Sequence, residues 1–490
     1  MKIIKKISTF VLCLSALVLV ACCFYFVGND LYKVGQLSVQ PQQEQSNNEF
    51  QLKIQQLQLD LNAKQSENTQ LQSQVLTLES SIAEKNTQNA NLQSQIRTLT
   101  LERDNAIASG QASQEEIDNL NIQIDELEAI IAENNSNNAD YQTQIDTLNA
   151  TIESNQGQID ALNGRVSRLI GVLDKSVTEI LEGDLDGLTK IPDRAFQQCR
   201  YLKSVVLPDD ITIIESYAFY NCLLLNQINM PKNLTTIGAN AFDTCVKLTD
   251  IEFSSSLGVI SSYAFKSCSG LINVTFSEDG ALSIIQNGAF SSCSSLKNIN
   301  LEVCDRLTSI PDSCFGSCKA LTNITLPSGV TNISSNAFSG SSITEITIPT
   351  GVTTIGQNAF RNCANLTSIS IPNTVDILTA GAFAYSGLIS VIFEEGCKIT
   401  HLGYDMFYGC ENLTTIVLPS SITSMQSSIF KDCSNLTELT ILATTPPTLS
   451  NVNAISSATT TIYIPAGTLE AYSTATNWST FADKFVELEA

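Results

Sequence analysis

Residues 355–372 read IGQNAFRNCANLTSISIP, and this stretch contains a pattern that recurs through more than half of the chain. Phe360 follows an Ala, a Cys stands three residues later, and a Leu stands three residues after the Cys. The segment from Ile369 to Ile371 alternates apolar and polar residues, as a short β-strand with one buried face does. Pro372 cannot donate a hydrogen bond to a neighbouring strand, so it ends that strand. The stretch therefore predicts one coil made of a turn, a short strand and a corner.

The same pattern returns at intervals of 22–25 residues. One coil cannot bury its apolar residues alone, so such coils stack and share a continuous core. The period and the composition predict a leucine-rich-repeat solenoid with one short strand per repeat. The eleven Phe residues that mark the repeats are Phe196, Phe219, Phe242, Phe265, Phe290, Phe315, Phe338, Phe360, Phe383, Phe407 and Phe430.

Nine repeats place a Cys three residues after the Phe, whereas two repeats place Ser341 and Ser386 there. A position that accepts Cys or Ser requires neither a disulfide nor a metal, so we interpret it as a column of buried thiols. The members of this cysteine column are Cys199, Cys222, Cys245, Cys268, Cys293, Cys318, Cys363, Cys410 and Cys433.

Cys304, Cys314 and Cys318 lie close enough in sequence to raise the question of a zinc site. However, Cys314 stands where other repeats have Ala, and the sequence lacks the C-x-x-C pairs that structural zinc sites use. His401 is the one His of the chain, and no Ser/His/Asp or Cys/His set accompanies it. The sequence therefore predicts no catalytic residue, no metal site and no cofactor.

The repeated string resembles the repeat of the BspA-like leucine-rich repeat proteins across residues 185–441. Pro446-Pro447, the segment 462–467 and Trp478 resemble the C-terminal cap of that family. The resemblance implies a surface protein that attaches to host or microbial macromolecules. Members of the family share no catalytic motif, so the resemblance transfers no catalytic residue to this chain.

Within each Leu-x-x-Ile-x-Ile unit the apolar residues point inward and the residues between them point outward. Most outward residues are small, polar and uncharged, and Val206, Ile392 and Val417 add apolar side chains. The resulting strip is too extended and shallow for a small-molecule pocket. We interpret it as a partner-binding face, with a merely solvated sheet face as the alternative. The candidate binding residues are Asn273, Thr275, Asn298, Asn300, Asn323, Thr325, Glu345, Thr347, Ser368 and Ser370.

Before the solenoid, apolar residues recur in alternating steps of three and four from Phe50 to Leu173. With Ile54 at heptad position a, β-branched residues prevail at a and Leu prevails at d. This pattern, unbroken in register, predicts a long parallel coiled coil that acts as a stalk.

Asn68, Asn89 and Asn138 occupy a positions of this seam. Paired Asn side chains fix the register of a dimer, so we expect a homodimer through the coiled coil, with a trimer as the alternative. Gly110 and its polar neighbours interrupt the seam and predict a hinge, because Gly costs a helix about 1 kcal/mol relative to Ala.

Lys2, Lys5 and Lys6 precede an apolar run over residues 7–27. The run is long enough to cross the ~30 Å hydrocarbon core, and the lysines favour an orientation with the remaining chain outside. A retained signal anchor is the first interpretation. A lipoprotein signal with acylated Cys22 and a cleaved secretory peptide are the alternatives. Each of these three interpretations predicts that residues 30–490 are exported.

The chain has 26 Lys and Arg against 49 Asp and Glu, a net charge of −23. Nucleic-acid binding depends on cationic contacts to phosphate, so that class of partner is excluded. The predicted organisation comprises a signal anchor or signal peptide at 1–29, a linker at 30–44, the stalk at 45–175, the solenoid at 176–441 and the cap at 442–490.

These expectations combine into an adhesin-like protein of the cell membrane, single-pass with its head outside, rather than an enzyme. Its partners would be an extracellular protein or other macromolecule, and the membrane through the N-terminal helix. A structural spacer of the cell envelope without an external ligand is the alternative function.

Overall fold

The computed structural model describes residues 40–489 of the chain. The apolar run expected to act as a membrane anchor, residues 7–27, lies outside this range. Among the described residues, no helix has the length and apolar character needed to cross a membrane. The chain divides into two compact units. The helical unit comprises Phe50–Asp186 with Cys199–Pro208, and the solenoid unit comprises Gly187–Gln198 with the chain from Asp209 onward.

Two long helices replace the single helix expected for the stalk, namely α1 (Gln40–Ser109) and α2 (Gln114–Leu173). Gly110 adopts a positive φ of 61° between them, a conformation that Gly reaches without steric cost. Ser113 then caps α2, since its hydroxyl accepts from the N–H of Glu116 at 3.3 Å and its own N–H donates to the Glu116 carboxylate at 2.8 Å. The expectation of one continuous helix is therefore wrong, and the predicted hinge is a full turn.

The two helices run antiparallel and pack against each other. Lys64 Nζ donates to Asn155 Oδ1 at 3.3 Å, and Lys85 Nζ donates to Asn134 Oδ1 at 2.9 Å. These contacts join residues far apart in sequence, and all four lie at heptad position d, so α2 fills the seam that the sequence assigned to a second chain. The parallel arrangement is wrong because an antiparallel hairpin presents the same heptad pattern as two parallel chains. The homodimer through the coiled coil stays a prediction, while in this structure α2 of the same chain occupies the seam.

The start of α1 and the end of α2 meet at the base of the hairpin, where the chain enters the segment 177–186. Lys53 Nζ donates to the main-chain oxygen of Asp186, and Arg165 donates to that of Gly183. Leu169, Val172 and Val177 are buried in the same region. The helical segment therefore returns to its starting point and does not extend away from it as a straight stalk would.

Most coils of the solenoid contain two short parallel strands, where the sequence predicted one. The first set comprises Glu179–Ile180, Ser204–Val205, Gln227–Ile228, Asp250–Phe253, Asn273–Phe276, Asn298–Ile299, Ser368–Ile371, Ser390–Phe393, Thr415–Leu418, Glu438–Ile441, Thr461–Ile464 and Phe485–Glu487. The second set comprises Lys190–Ile191, Ile213–Ile214, Thr236–Ile237, Val259–Ile260, Ile284–Ile285, Ser309–Ile310, Asn332–Ile333, Thr354–Ile355, Ile377–Leu378, His401–Leu402, Ser424–Met425 and Thr448–Leu449.

The strands of adjacent coils pair in register. Asp250 pairs with Asn273 and Phe253 with Phe276, so equivalent positions of the repeat lie side by side. Segments 323–326 and 345–348 form no regular strand, yet they keep the alternation of exposed and buried residues that the strands show. The expected strand is therefore missing from two coils, although the direction of their side chains is the same.

A continuous stack of Phe rings forms the core of the solenoid unit. From Phe196 to Phe430, rings of neighbouring coils lie 4.9–5.8 Å apart between centroids, nearly parallel to each other. Burial of one such ring contributes about 1.5–3 kcal/mol, so the stack is a large part of the stability of the unit.

The cysteine column lies beside this stack and is buried, as the sequence predicted. From Cys222 onward, each thiol of the column donates to the main-chain oxygen of the Phe in the coil before it. For example, Cys245 Sγ lies 3.2 Å from Phe219 O, and Cys268 Sγ lies 3.1 Å from Phe242 O. A small side chain with one donor satisfies this site, which explains the preference for Cys.

Residues two positions before and two positions after each Phe adopt a positive φ. Around Phe242, these are Asn240 at 54° and Thr244 at 65°. The backbone of this turn bonds to the next coil, since the N–H of Phe242 donates to Ala264 O at 2.7 Å. The turn side of each coil is thus held by main-chain hydrogen bonds although it contains no strand.

The C-terminal segment ends the solenoid with the short helix α3 (Leu469–Thr474) and two 3-10 helices, Val452–Ala454 and Trp478–Lys484. A further 3-10 helix, Leu301–Val303, lies in the middle of the solenoid. Trp478 and Tyr472 are fully buried in the C-terminal segment. Trp478 Nε1 donates to Pro447 O, and the Tyr472 hydroxyl donates to Ala443 O, each at 2.7 Å. These two aromatic side chains cover the apolar end that the last coil would otherwise expose.

Candidate functional site

The ten residues predicted to bind a partner lie on one side of the solenoid unit, which we call the strand face. The strands Asp250–Phe253 and Ser368–Ile371 alternate exposed and buried residues, with the apolar side chains inside. Eight of the ten are exposed, whereas Asn273 and Asn300 are half-buried. The alternation of apolar and polar residues in the sequence, with a period of two, was sufficient to place these side chains on the outer surface.

A ladder of side-chain hydrogen bonds crosses the strand face. Asn273 Nδ2 donates to Asp250 Oδ1 at 2.5 Å, and Asn298 Nδ2 donates to Asn273 Oδ1 at 2.7 Å. The hydrogen bond from Asn273 is the main cause of a lowered pKa of the Asp250 carboxyl, followed by that from Thr249. This ladder orders three coils of the face and keeps Asp250 ionised at neutral pH.

Asn300 has a structural role that the sequence did not reveal. Its Oδ1 accepts from the N–H of Phe276 at 2.8 Å, and its Nδ2 donates to the main-chain oxygen of Phe276 at 2.9 Å. The side chain thereby imitates the next rung of the sheet, at a position where the following coil turns away into a 3-10 helix. Both polar atoms of the Asn300 amide are thus engaged by the backbone of Phe276.

Two shallow depressions lie on the strand face. The larger one, about 740 Å³, is lined by the polar side chains of Asp250, Glu252, Asn273 and Thr275 together with Phe253. The smaller one, about 310 Å³, combines six of the predicted residues: Asn323, Thr325, Glu345, Thr347, Ser368 and Ser370. The structure therefore brings most of the candidate site together in the second depression and leaves Asn298 and Asn300 between the two.

The strand face is acidic. From Gln227 to Thr440, the outward positions of the strand face include the acidic residues Asp250, Glu252, Glu345 and Glu438, but no Lys or Arg. These carboxylates would repel acidic groups of a partner, whereas Lys, Arg, hydroxyl and amide groups of a partner could donate hydrogen bonds to them. The face is thus suited to a partner that is basic or rich in hydrogen-bond donors.

Apolar side chains are added near the C-terminal end of the same face. Ile392 is 58 % exposed and Val417 is 48 % exposed, and the sequence had placed both on this surface. Ile389, which the sequence analysis did not single out, is 52 % exposed beside them. Such a cluster adds apolar contact area next to the polar depressions, and a partner that spans both would bury it.

Groups with catalytic potential elsewhere offer little chemistry. Burial raises the pKa of the thiols, to about 11 for Cys363 and Cys410, so they are protonated and unreactive at neutral pH. Ser424 Oγ lies 2.7 Å from His401 Nδ1 on the surface, and within residues 40–489 no carboxylate bonds to that ring. In the same range no three His, Cys, Asp or Glu side chains are arranged to hold a metal ion.

Comparison with family models gives a match to the BspA type leucine rich repeat region, in six copies, over residues 189–304, 283–399 and 354–475. No curated protein matches the chain significantly. Proteins of this family are typically found at the cell surface, and leucine-rich-repeat solenoids are typically binding scaffolds without enzymatic activity.

Several solved structures are similar in part. A leucine-rich repeat protein from Bacteroides ovatus is 22 % identical, with a TM-score of 0.44, over 62 % of this chain and 88 % of that one. A leucine rich cell surface protein from Faecalibacterium prausnitzii is 27 % identical, with a TM-score of 0.36, over 62 % and 83 %. The pneumococcal vaccine antigen PcpA is 18 % identical, with a TM-score of 0.34, over 64 % and 85 %.

Proposed function

Because the chain belongs to the BspA-type leucine-rich repeat family, we propose that it is an adhesin-like protein of the cell surface that binds an extracellular macromolecule through the strand face. The proposed partner is a protein from a host or a neighbouring microbe, bound through an extended and donor-rich segment. The observation that carries the proposal is the second depression, which gathers six exposed, polar residues from three adjacent coils.

The geometry of the strand face favours an extended partner. Neighbouring coils repeat about every 4.8 Å, so the coils from Asp250 to Ser370 present a strip of roughly 25–30 Å. Both depressions lie along this strip and are open to solvent, whereas small-molecule pockets bury most of their ligand. An extended segment can instead contact several coils at once, with modest gains at each contact.

The alternative function, a spacer of the cell envelope without a ligand, is less well supported. A spacer needs two ends that lie far apart, but the helical segment begins and ends at the same base, where Lys53 contacts Asp186. A binding role requires no such separation. In this proposal the apolar run at residues 7–27 exports the protein and holds it at the membrane, with the solenoid outside.

The experiment compares two charge changes of equal size on one solenoid. Thr347→Lys with Ser368→Lys places two cations in the second depression, whereas Ser317→Lys with Gln357→Lys places two cations at exposed positions outside the strand face. The purified full chain is tested against intact epithelial cells and against immobilised panels of extracellular-matrix and bacterial surface proteins.

The strand-face variant should lose at least tenfold in affinity for the partner that the wild type binds, and the control variant should bind like the wild type. Equal binding by both variants, or loss in the control alone, would show that another surface is used. If the wild type bound neither the cells nor any immobilised protein, the result would favour the spacer.

A further inference from the structure

The larger depression of the strand face, about 740 Å³, combines acidic and apolar side chains. Ile228 and Met230 line it from one coil, and Asp250 and Glu252 line it from the next. The two acidic residues are exposed, whereas Ile228 and Met230 are half-buried. The depression thus presents two negative charges beside apolar surface that a ligand can still reach.

The two carboxylates lie on the same side of one strand. The strand Asp250–Phe253 alternates exposed and buried residues, so Asp250 and Glu252 point the same way. Residues two positions apart on a strand are separated by about 6.6 Å. A cationic group that lies between the two side chains can therefore donate hydrogen bonds to both of them.

No cation of the described part of the chain neutralises these carboxylates. Asp250 and Glu252 take part in no ion pair among the described residues, whereas Asp209 on an earlier coil pairs with Lys232 at 3.0 Å. Asp250 accepts instead from the neutral amide of Asn273 at 2.5 Å, and this hydrogen bond is the main cause of the lowered pKa of its carboxyl. Asp250 is thus oriented and ionised, and its carboxylate retains further acceptor positions.

The chemistry of the depression selects one kind of occupant. An acidic group would be repelled, and a neutral hydroxyl group would leave two charges without compensation. The guanidinium of an arginine carries five N–H donors in a planar fork, and its methylene groups can lie along apolar surface such as that of Ile228 and Met230. One exposed ion pair contributes little, but a guanidinium between two carboxylates makes several charge-assisted hydrogen bonds.

We infer that the larger depression is a subsite for an arginine side chain of the partner, with Asp250 and Glu252 as its acceptors. The inference rests on the proposed function and specifies one contact of the same partner. The smaller depression, centred on Glu345, lies four coils further along, about 19 Å at ~4.8 Å per coil. An extended segment advances about 3.3 Å per residue, so the arginine should stand about six residues from the part of the partner that fills the smaller depression.

Random peptides displayed on phage and selected on the purified full chain are the probe. Peptides of about 15 residues span roughly 50 Å when extended, enough to reach both depressions. Peptides that also bind the variant Thr347→Lys with Ser368→Lys are removed, so that the remaining ones depend on the strand face. The strongest remaining binder is synthesised with arginine and with citrulline, the uncharged analogue of arginine.

Both peptides are measured by fluorescence anisotropy against the wild type and two variants. Asp250→Asn with Glu252→Gln removes both charges of the subsite and keeps the size of the side chains. The control, Glu278→Gln with Asp279→Asn, removes two charges at exposed positions that follow the strand Asn273–Phe276. The citrulline peptide should bind all three proteins alike, which also shows that the variants are folded.

Most of the remaining peptides should contain arginine. Replacement of this arginine by citrulline should lower the affinity for the wild type and for the control at least tenfold, and should change nothing for Asp250→Asn with Glu252→Gln. Selected peptides without arginine, or an equal loss with all three proteins, would overturn the subsite and leave the proposed function standing. If no peptide depended on the strand face, the subsite and the proposed function would both be overturned.

Discussion

Arg168 and Asp184 form a two-point ion pair at the base of the hairpin, with Nε 2.5 Å from Oδ2 and Nη2 2.8 Å from Oδ1. The Asp184 side chain is fully buried, and its Oδ2 also accepts from the N–H of Leu181 at 2.8 Å. Arg165 lies 4.0 Å away as a second cation. One carboxylate thus connects the last turns of α2 to the segment that follows the hairpin.

Arg168→Met should destabilise the helical unit, because it leaves the buried carboxylate with a weaker partner. We expect a loss of about 2–4 kcal/mol, below the value for fully enclosed pairs since the Arg168 side chain keeps 23 % exposure. Thermal unfolding followed at 222 nm measures the effect. The control is Lys232→Met, which removes a surface pair with Asp209 and should leave the transition where it is. An unchanged transition in both variants would refute the role of the pair.

Asn89 and Asn134 set the register of the hairpin. Asn134 Nδ2 donates to Asn89 Oδ1 at 2.9 Å, and Lys85 Nζ donates to Asn134 Oδ1. Asn134→Leu leaves two polar groups without their partner and should cost about 1–3 kcal/mol. The double variant Asn89→Leu with Asn134→Leu replaces this polar pair by an apolar one and should recover the part of the loss that is due to Asn89, whereas Lys85 still lacks its acceptor.

A double-mutant cycle of the helical melting transition measures this coupling. Simple additivity of the two single changes would contradict the proposed pairing. The double variant should also populate other associations of the helices, visible as larger species in sedimentation, because an apolar layer no longer discriminates between registers.

Gly356 lies where the backbones of two neighbouring coils approach closely. A Cβ at this position would lie 2.5 Å from the main-chain nitrogen of Ser335 and 2.6 Å from the carbonyl carbon of Ser334. Backbone atoms cannot rotate away, so Gly356→Ala should cost the solenoid about 1–3 kcal/mol. The fluorescence of Trp478, the one Trp of the chain, reports the unfolding of the solenoid.

The matched control is Gly157→Ala in α2, where a Cβ would meet no atom within 4 Å. This change should stabilise the hairpin by about 0.5–1 kcal/mol, since Ala loses less conformational freedom than Gly in a helix. If Gly356→Ala left the Trp478 transition unaltered, the close approach of the coils would not be a constraint.

The cysteine column should make the solenoid sensitive to alkali. Burial raises the pKa of the Cys363 thiol to about 11 and that of Cys318 to about 12, against about 8.5 for an unfolded thiol. Between these values the unfolded chain binds fewer protons than the folded one, so the free energy of unfolding falls as pH rises. The stabilisation is complete below about pH 8.5 and is lost progressively up to pH 11–12.

Urea unfolding at several pH values, followed by Trp478 fluorescence, measures this decline. Cys363→Ser is the control, because Ser occupies the equivalent position naturally at Ser341 and Ser386 and does not ionise in this range. The variant should show a shallower decline than the wild type. Identical pH profiles would mean that the thiols do not contribute.

The sequence predicted the solenoid well because its signals are local and repeated. Phe, Cys and Leu recur at fixed offsets, so the stacked coils, the buried thiols and the outward strand residues followed from spacing alone. The second strand of each coil was missed, since strands of two residues such as Thr236–Ile237 are too short to show alternation. The clamp formed by Asn300 was missed because it depends on how the next coil turns.

The direction of the helices could not be derived from the heptads, which are the same for a parallel pair and for a hairpin. Another signal was present, however. The polar residues Lys64 and Lys85 are separated by the same 21 residues as their partners Asn155 and Asn134, in reverse order around Gly110. Polar seam positions that mirror each other about a glycine indicate a hairpin, and the capping box of Ser113 marks the start of its second helix.

The return of the hairpin to its own base makes it an insertion that the chain enters and leaves at nearly the same point. Heptads can therefore be added or removed near the tip, provided that equal numbers change in α1 and α2, without altering the ion pair of Arg168 and Asp184 or any coil beyond it. The length of the hairpin is therefore independent of the structure at its base. A longer or shorter hairpin built in this way would leave the residues of the strand face unchanged.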